Sequence, residues 1–257
     1  MPAILHPGAG GEKFRFAAPE PAPQLRPFVA HYWTVTWDLR GEPPYTQQVL
    51  PYPAVNMTFK AGRCRVAGVP RGRFHEVLDG AGRVFGVRFR PGGFRAFADG
   101  PVSALTDRFV AVEAFFGAPG ARLAAEVLAA DDDAAAAVLD AFLAARAPER
   151  PDPAAELVDA VVARTVEPTV LRVDALAAEF GLTVRQLQRL FAEYLGVSPK
   201  WVIRRHRLHE VAARAVAGEP VDLGVLAGEL GYADQAHLSR DFAAITGVPP
   251  SRYIRAQ

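Results

Sequence analysis

Arg172 to Tyr253 is one unit written twice. The first copy runs Leu176-Ala-Ala-Glu-Phe-Gly181, then Leu187-Gln-Arg189, Phe191, Gly196-Val197 and Pro199. The second runs Leu226-Ala-Gly-Glu-Leu-Gly231, then Leu238-Ser-Arg240, Phe242, Gly247-Val248 and Pro250. Self-similarity over so many positions restricts the fold more than any composition does. Each copy has the grammar of two helices joined by a tight turn. A short apolar-faced helix stops at Gly181 or Gly231, where glycine takes a left-handed C-cap without steric cost. Thr183 and Asp234 then stand as N-caps of the second helices. In the first of these, Leu187, Leu190 and Phe191 share a face and Arg185, Gln188 and Arg189 lie opposite. In the second, Leu238, Phe242 and Ile245 turn inward and Gln235, His237 and Arg240 face out.

Between the copies, Ser198-Pro199 reads as a cap followed by proline at the first helical position. Lys200 to about Ala217 is one helix, with Trp201, Leu208, Val211 and Ala215 as its apolar stripe. Lys200, Arg204, Arg205 and Arg207 lie off that stripe. At ~1.5 Å per residue this rod is roughly 25–30 Å long. It can hold the two second helices about one DNA turn apart, ~34 Å.

These residues resemble the C-terminal DNA-binding domain of the AraC family of bacterial transcription regulators. The resemblance rests on Leu176-Ala-x-x-x-Gly181, Leu187-Gln-Arg-x-Phe191, Gly196-Val-Ser-Pro199, Arg205-x-Arg207-Leu208, Ala227-x-x-Leu-Gly-Tyr232, His237-Leu-Ser-Arg240-x-Phe242 and Gly247-Val-x-Pro250. It covers roughly the last hundred residues. It implies a tandem helix-turn-helix that binds double-stranded DNA, and often a cupin-like sensor domain in front.

Charge alone does not announce a nucleic-acid partner, because 257 residues carry a net charge of only +1. The DNA reading rests on where the arginines sit. Arg189 and Arg240 occupy equivalent places, and arginine can donate two hydrogen bonds to guanine in the major groove. The expected base contacts are Arg185, Gln188, Arg189, Gln235, His237 and Arg240, with Arg185 able to reach a base or only a phosphate. Thr183, Lys200, Arg204 and Arg205 are expected at phosphates. The single cysteine, Cys64, excludes an internal disulfide and a cysteine-cluster zinc site. No apolar run reaches the ~18 residues of a membrane span, and the start lacks a signal peptide's order. A soluble cytoplasmic protein is therefore expected.

In chain order, Met1 to Gly11 is Pro/Gly-rich and expected to be mobile. Strands are expected at Leu25–Leu39, Thr46–Leu50, Val55–Phe59, Arg63–Val69, Arg73–Leu78 and Arg83–Phe89, each bounded by Gly or Pro. That rhythm suggests a barrel or sandwich. Val87-Arg-Phe-Arg-Pro-Gly-Gly-Phe94 also looks like a motif of one cupin-like regulator subgroup. Helices follow at Val112–Phe116, Arg122–Ala130 and Asp133–Ala145. Ala147-Pro-Glu-Arg-Pro-Asp-Pro153 is the clearest linker.

The expected fold class is therefore α+β in two domains. Residues 1–150 form a cupin-like β-barrel or sandwich for sensing and dimerisation, with a helical segment at 112–146. Residues 151–257 form an all-α domain with two helix-turn-helix units.

His31, His75 and Cys64 lack metal-ligand spacing, so no metal, cofactor or catalytic site is expected. Asn56 either hydrogen-bonds the backbone or faces a cavity. Arg88 and Arg90 share one face, turned to solvent or to a cavity. The candidates for a small-molecule effector pocket are Trp33, Trp37, Asn56, His75 and Arg88, although aromatic residues in strands are more often core. Leu139 and Leu143 pack either on the barrel or, as favoured here, against a second chain in a homodimer. RNA polymerase is a further expected partner. The main reading is a sequence-specific regulator under effector control. The alternatives are a cupin-barrel enzyme with an accessory DNA-binding domain and a ligand-independent architectural DNA binder.

Overall fold

The computed structural model describes residues 13–167, 169–219 and 221–255. The lead expected over Met1–Gly11 lies outside them. The N-terminal half is built from antiparallel strands: β1 (Arg15–Ala17), β2 (Val29–Asp38), β3 (Tyr45–Val49), β4 (Asn56–Lys60), β5 (Arg63–Ala67), β6 (Phe74–Leu78), β7 (Ala81–Phe89) and β8 (Phe109–Ala111). Six make one sheet in the order β1-β2-β7-β4-β5-β8, and β3 and β6 pair as a second. The Leu25–Leu39 segment is strand only from Val29, because Pro23–Leu25 winds into a 3-10 turn.

Strand parity sorts the large sheet's side chains into two layers. Tyr32, Met57, Phe59, Phe85, Val87 and Phe89 point to one side and are buried there with Leu123, Val127, Leu139 and Leu143. Those leucines and Val127 belong to α2 (Ala118–Ala129) and α3 (Asp132–Ala144), which follow α1 (Val112–Phe116). The Tyr32 hydroxyl donates to Asp140 of α3 at 2.6 Å, and the Ala22 amide donates to the same carboxylate at 3.0 Å. Leu139 and Leu143 have no accessible surface. The favoured placement of these two leucines in a dimer interface is therefore corrected: they complete the sheet's own core. Each such burial contributes about 1.5–3 kcal/mol.

Residues 145–152 carry no helix or strand. Then come α4 (Pro153–Arg164), α5 (Val173–Glu179), α6 (Val184–Tyr194), α7 (Pro199–Val216), α8 (Leu223–Glu229), α9 (Gln235–Thr246) and α10 (Pro250–Arg255). Gly181 and Gly231 have φ of +66° and +69°, as the turn requires. Thr183 and Gln186 form a reciprocal capping box on α6, and Asp234 caps α9 through the His237 amide at 2.6 Å.

Helix α7 serves two cores. Val202 and Ile203 join Val158, Leu176, Leu187 and Phe191, whereas Leu208, Val211 and Ala215 join Leu226, Leu238 and Phe242. The N-terminal half adds one residue to each, Val69 to the first and Leu50 to the second.

Candidate DNA interface and ligand cavity

The two outward faces that the repeat predicts are present. On α6, Leu187 and Phe191 are buried and Arg185, Gln188 and Arg189 are exposed. On α9, Leu238 and Phe242 are buried and Gln235, His237 and Arg240 are exposed. Among the described residues, Arg185, Arg189 and Arg240 form no ion pair. Their charge is therefore available to a partner. The His237 ring stands edge-on to Tyr232 at 5.1 Å, which holds it beside the start of α9.

The four residues expected at phosphates fare differently. Thr183 is exposed, but its hydroxyl is engaged in the capping box. Lys200 is exposed in the first turn of α7. Arg204 clasps Asp241 through Nε at 2.9 Å and a terminal nitrogen at 2.5 Å, so it ties α7 to α9. Arg205 is corrected outright. It is 1% exposed, and its Nε donates to the Pro51 carbonyl of the β3–β4 loop at 2.8 Å. The stripe read from sequence assumed one buried face on α7. The helix is buried on several, because it fills two cores and also abuts the sheet domain.

That domain also grips both outward-facing helices at their C-terminal ends. Beyond α6, Thr106 Oγ1 donates to the Gly196 carbonyl at 2.5 Å, and Arg95 Nε meets Glu193 at 2.7 Å. At the end of α9, Gln48 Nε2 donates to the Thr246 carbonyl at 2.6 Å and Arg73 to that of Ala243 at 3.2 Å. On α4, Asp159 accepts from the Gly92 amide at 2.8 Å and from Arg90 Nε at 2.5 Å. The N-terminal halves of α6 and α9 are left open.

The second layer of strand side chains lines a cavity of about 730 Å³ between the two sheets. Trp33, Trp37, Asn56 and Arg88 line it. His75 does not: on β6, Phe74, Glu76 and Leu78 face the cavity and His75 points to solvent. Asn56 meets both readings offered for it, since it lines the cavity and donates to the Ala54 carbonyl at 3.2 Å. The indoles lie across neighbouring glycines on β7. A Cβ on Gly86 would fall 2.1 Å from Trp33 Cε2, and one on Gly82 would fall 2.4 Å from Trp37 Cζ2. Sequence reading missed Tyr52, Lys60, Arg63, Arg65, Phe74 and Phe109, which also line it. Alternation along β4 and β5 was the available signal.

One wall is shared with α7. Pro51 and Tyr52 line the cavity, yet Pro51 accepts from Arg205 and the Tyr52 ring lies 6.1 Å from that of His206. Burial here disfavours charge. It brings the Arg205 pKa down to about 9 and that of His206 to about 4, and it puts His209 well below the usual histidine value. In the cavity, burial and the nearby Arg88 charge bring His31 to about 4. Among the described residues no three His, Cys, Asp or Glu side chains gather where they could hold a metal. No described helix is long and apolar enough to cross a membrane.

Residues 176–256 match a family model described as a helix-turn-helix domain. The C-terminal region is an AraC-type helix-turn-helix domain. It supports a DNA-binding transcription regulator with DNA as its partner. Residues 18–111 match a second model, a domain of unknown function (DUF6597). No curated protein matches the chain. Among solved structures, ToxT from Vibrio cholerae aligns over 95% of this chain and 94% of its own at 13% identity and TM-score 0.39. The C-terminal domain of AraT, a response regulator from Geobacillus stearothermophilus, aligns over 42% of this chain and 88% of its own, at 20% identity and TM-score 0.36. The AraC-like transcriptional activator CuxR covers 83% of this chain and 95% of its own, at 14% identity and TM-score 0.27.

Proposed function

We propose that the protein is a cytoplasmic, sequence-specific transcription regulator rather than an enzyme, with residues 151–257 reading DNA and residues 1–150 sensing a small molecule. The observation that carries this is the pair Arg189 and Arg240: equivalent in the repeat, exposed, and without an ion pair among the described residues, on two helices of an AraC-type domain. On this reading α6 presents Arg185, Gln188 and Arg189 to one major groove, and α9 presents Gln235, His237 and Arg240 to the next. Lys200 takes a backbone phosphate.

The effector occupies the cavity between the sheets. Two routes lead from it to the DNA-binding helices. One is the Pro51–Tyr52 wall against Arg205 and His206. The other is the segment from Arg88 in the cavity to Gly92 on α4. The ligand acts by binding two arrangements of these contacts with different affinities. Contact with RNA polymerase and pairing of two copies through the N-terminal half belong to the same reading. A second copy would use surfaces other than Leu139 and Leu143.

Selection of bound sequences from a random DNA pool tests the proposal. The expected result is an enriched site with two conserved blocks about 10 base pairs apart. Binding that weakens with salt but enriches nothing would overturn it in favour of an architectural binder.

A further inference from the structure

The charged groups of the cavity are unevenly matched. Lys60, Arg63, Arg65 and Arg88 line it against one carboxylate, Glu76. Arg63 and Arg65 both pair with Glu76, and Arg65 also lies over the Phe109 ring at 4.2 Å. Lys60 rests over the Trp37 ring at 4.9 Å. Arg88 likewise has no anion, and it alone of the four is a guanidinium without one: among the described residues it forms no ion pair, and its buried Nε has no hydrogen-bond partner. Its neighbours are uncharged. His31 on β2 and Asn56 on β4 are its cross-strand partners, and the Tyr52 ring lies 5.3 Å from the guanidinium. His31 is held neutral near pH 7 by burial and by Arg88 itself.

A guanidinium does not escape burial by losing its proton. An unpaired buried charge is costly, and where Arg205 has the Pro51 carbonyl to meet its Nε, that of Arg88 has no acceptor, so an anion in the cavity would relieve the cost. The rest of the lining sets the shape of that partner. Trp33, Trp37, Phe74, Leu78 and Phe109 offer flat apolar surface, and a single free guanidinium fork matches a single carboxylate.

We propose that the cavity binds an organic carboxylic acid with a flat apolar body, its carboxylate on Arg88 and its body between Trp33, Trp37 and Phe74. This rests on the reading of the cavity as the effector site. The acid enters as the anion, and no covalent step is involved. Because Arg88 opens the segment that reaches Asp159 through Arg90 and Gly92, the same contact sits where a ligand can bias the docking of α4.

Calorimetry on the full chain with three matched probes tests the proposal: 4-phenylbutyrate, 4-phenylbutan-1-ol and 4-phenylbutylamine. The acid should bind roughly 10–100-fold more tightly than the alcohol, and the amine more weakly than either. Arg88→Gln, with folding checked by circular dichroism, should bring acid and alcohol to the same affinity. The unmodified protein carries the test even if that variant fails to fold, because the acid–alcohol ratio needs no substitution. Equal affinities for acid and alcohol in the unmodified protein, or binding of none of the three at ~1 mM, would overturn the proposal. DNA binding by the same preparation reports separately on the regulator reading, so loss of one is told apart from loss of the other.

Discussion

Replacing Arg189 and Arg240 together with alanine should lower affinity for the preferred DNA site by on the order of 10²–10⁴-fold and leave the fold intact. Both side chains are exposed and form no ion pair among the described residues, so none of those residues loses an ion-pair partner. A bidentate arginine–guanine contact supplies ~1–3 kcal/mol of discrimination, and every 1.4 kcal/mol is tenfold. The two sites lie on different helices, so their effects should add. Each single variant should relax preference at one or two base pairs and leave the other block unchanged. Equal loss on all sequences would make both arginines phosphate contacts. Competition binding against the selected site and a scrambled one separates these outcomes.

Gly92→Val should force the two halves apart. A Cβ at Gly92 would fall 2.4 Å from the carbonyl oxygen of Ala155 and 2.8 Å from its Cα, both backbone atoms of α4. Backbone cannot turn aside as a side chain can, so α4 must leave the sheet domain. The amide that donates to Asp159 leaves with the glycine's close approach. Overpacking of this kind typically costs 1–3 kcal/mol, and about 3 kcal/mol or more is expected where helix backbone is the obstacle. A single cooperative melting transition should split into two, and protease cleavage within residues 145–152 should accelerate. Gly72→Ala is the control, since a Cβ there meets nothing within 4 Å. An unchanged melting curve for Gly92→Val would mean that α4 is not docked as described.

The helical half was legible because its signals are local. Glycines at Gly181 and Gly231, caps at Thr183 and Asp234, and inward triplets such as Leu187, Leu190 and Phe191 each act within a turn or two. Arg205 was not legible, because its environment is made by Pro51, distant in sequence. No periodicity within α7 reports that a second domain covers its flank. On the strands, period-two alternation put Arg88 and Arg90 on one face, but only Arg88 lines the cavity; Arg90, past the end of β7, is exposed and pairs with Asp159. Alternation did not show which side of the sheet holds a cavity, and so His75 was placed in it. The strands β1 and β8 span three residues each, too short for alternation to register. The two glycines of the Val87–Phe94 motif become intelligible only in three dimensions. Gly92 meets α4, and a Cβ on Gly93 would fall 2.2 Å from the Phe28 carbonyl oxygen.

On the proposed function, one chain reads two successive major grooves with helices held at a fixed separation. The 18-residue α7 joins them, and the sheet domain clamps the end of each. The direct test is affinity for the selected site with about five, and with about ten, base pairs inserted between its two blocks. Five turn the second block to the far side of the duplex; ten restore its face but move it a full turn away. Either insertion should cost on the order of 100-fold, because α9 can no longer reach its block. Affinity that stays the same at all three spacings would contradict this reading.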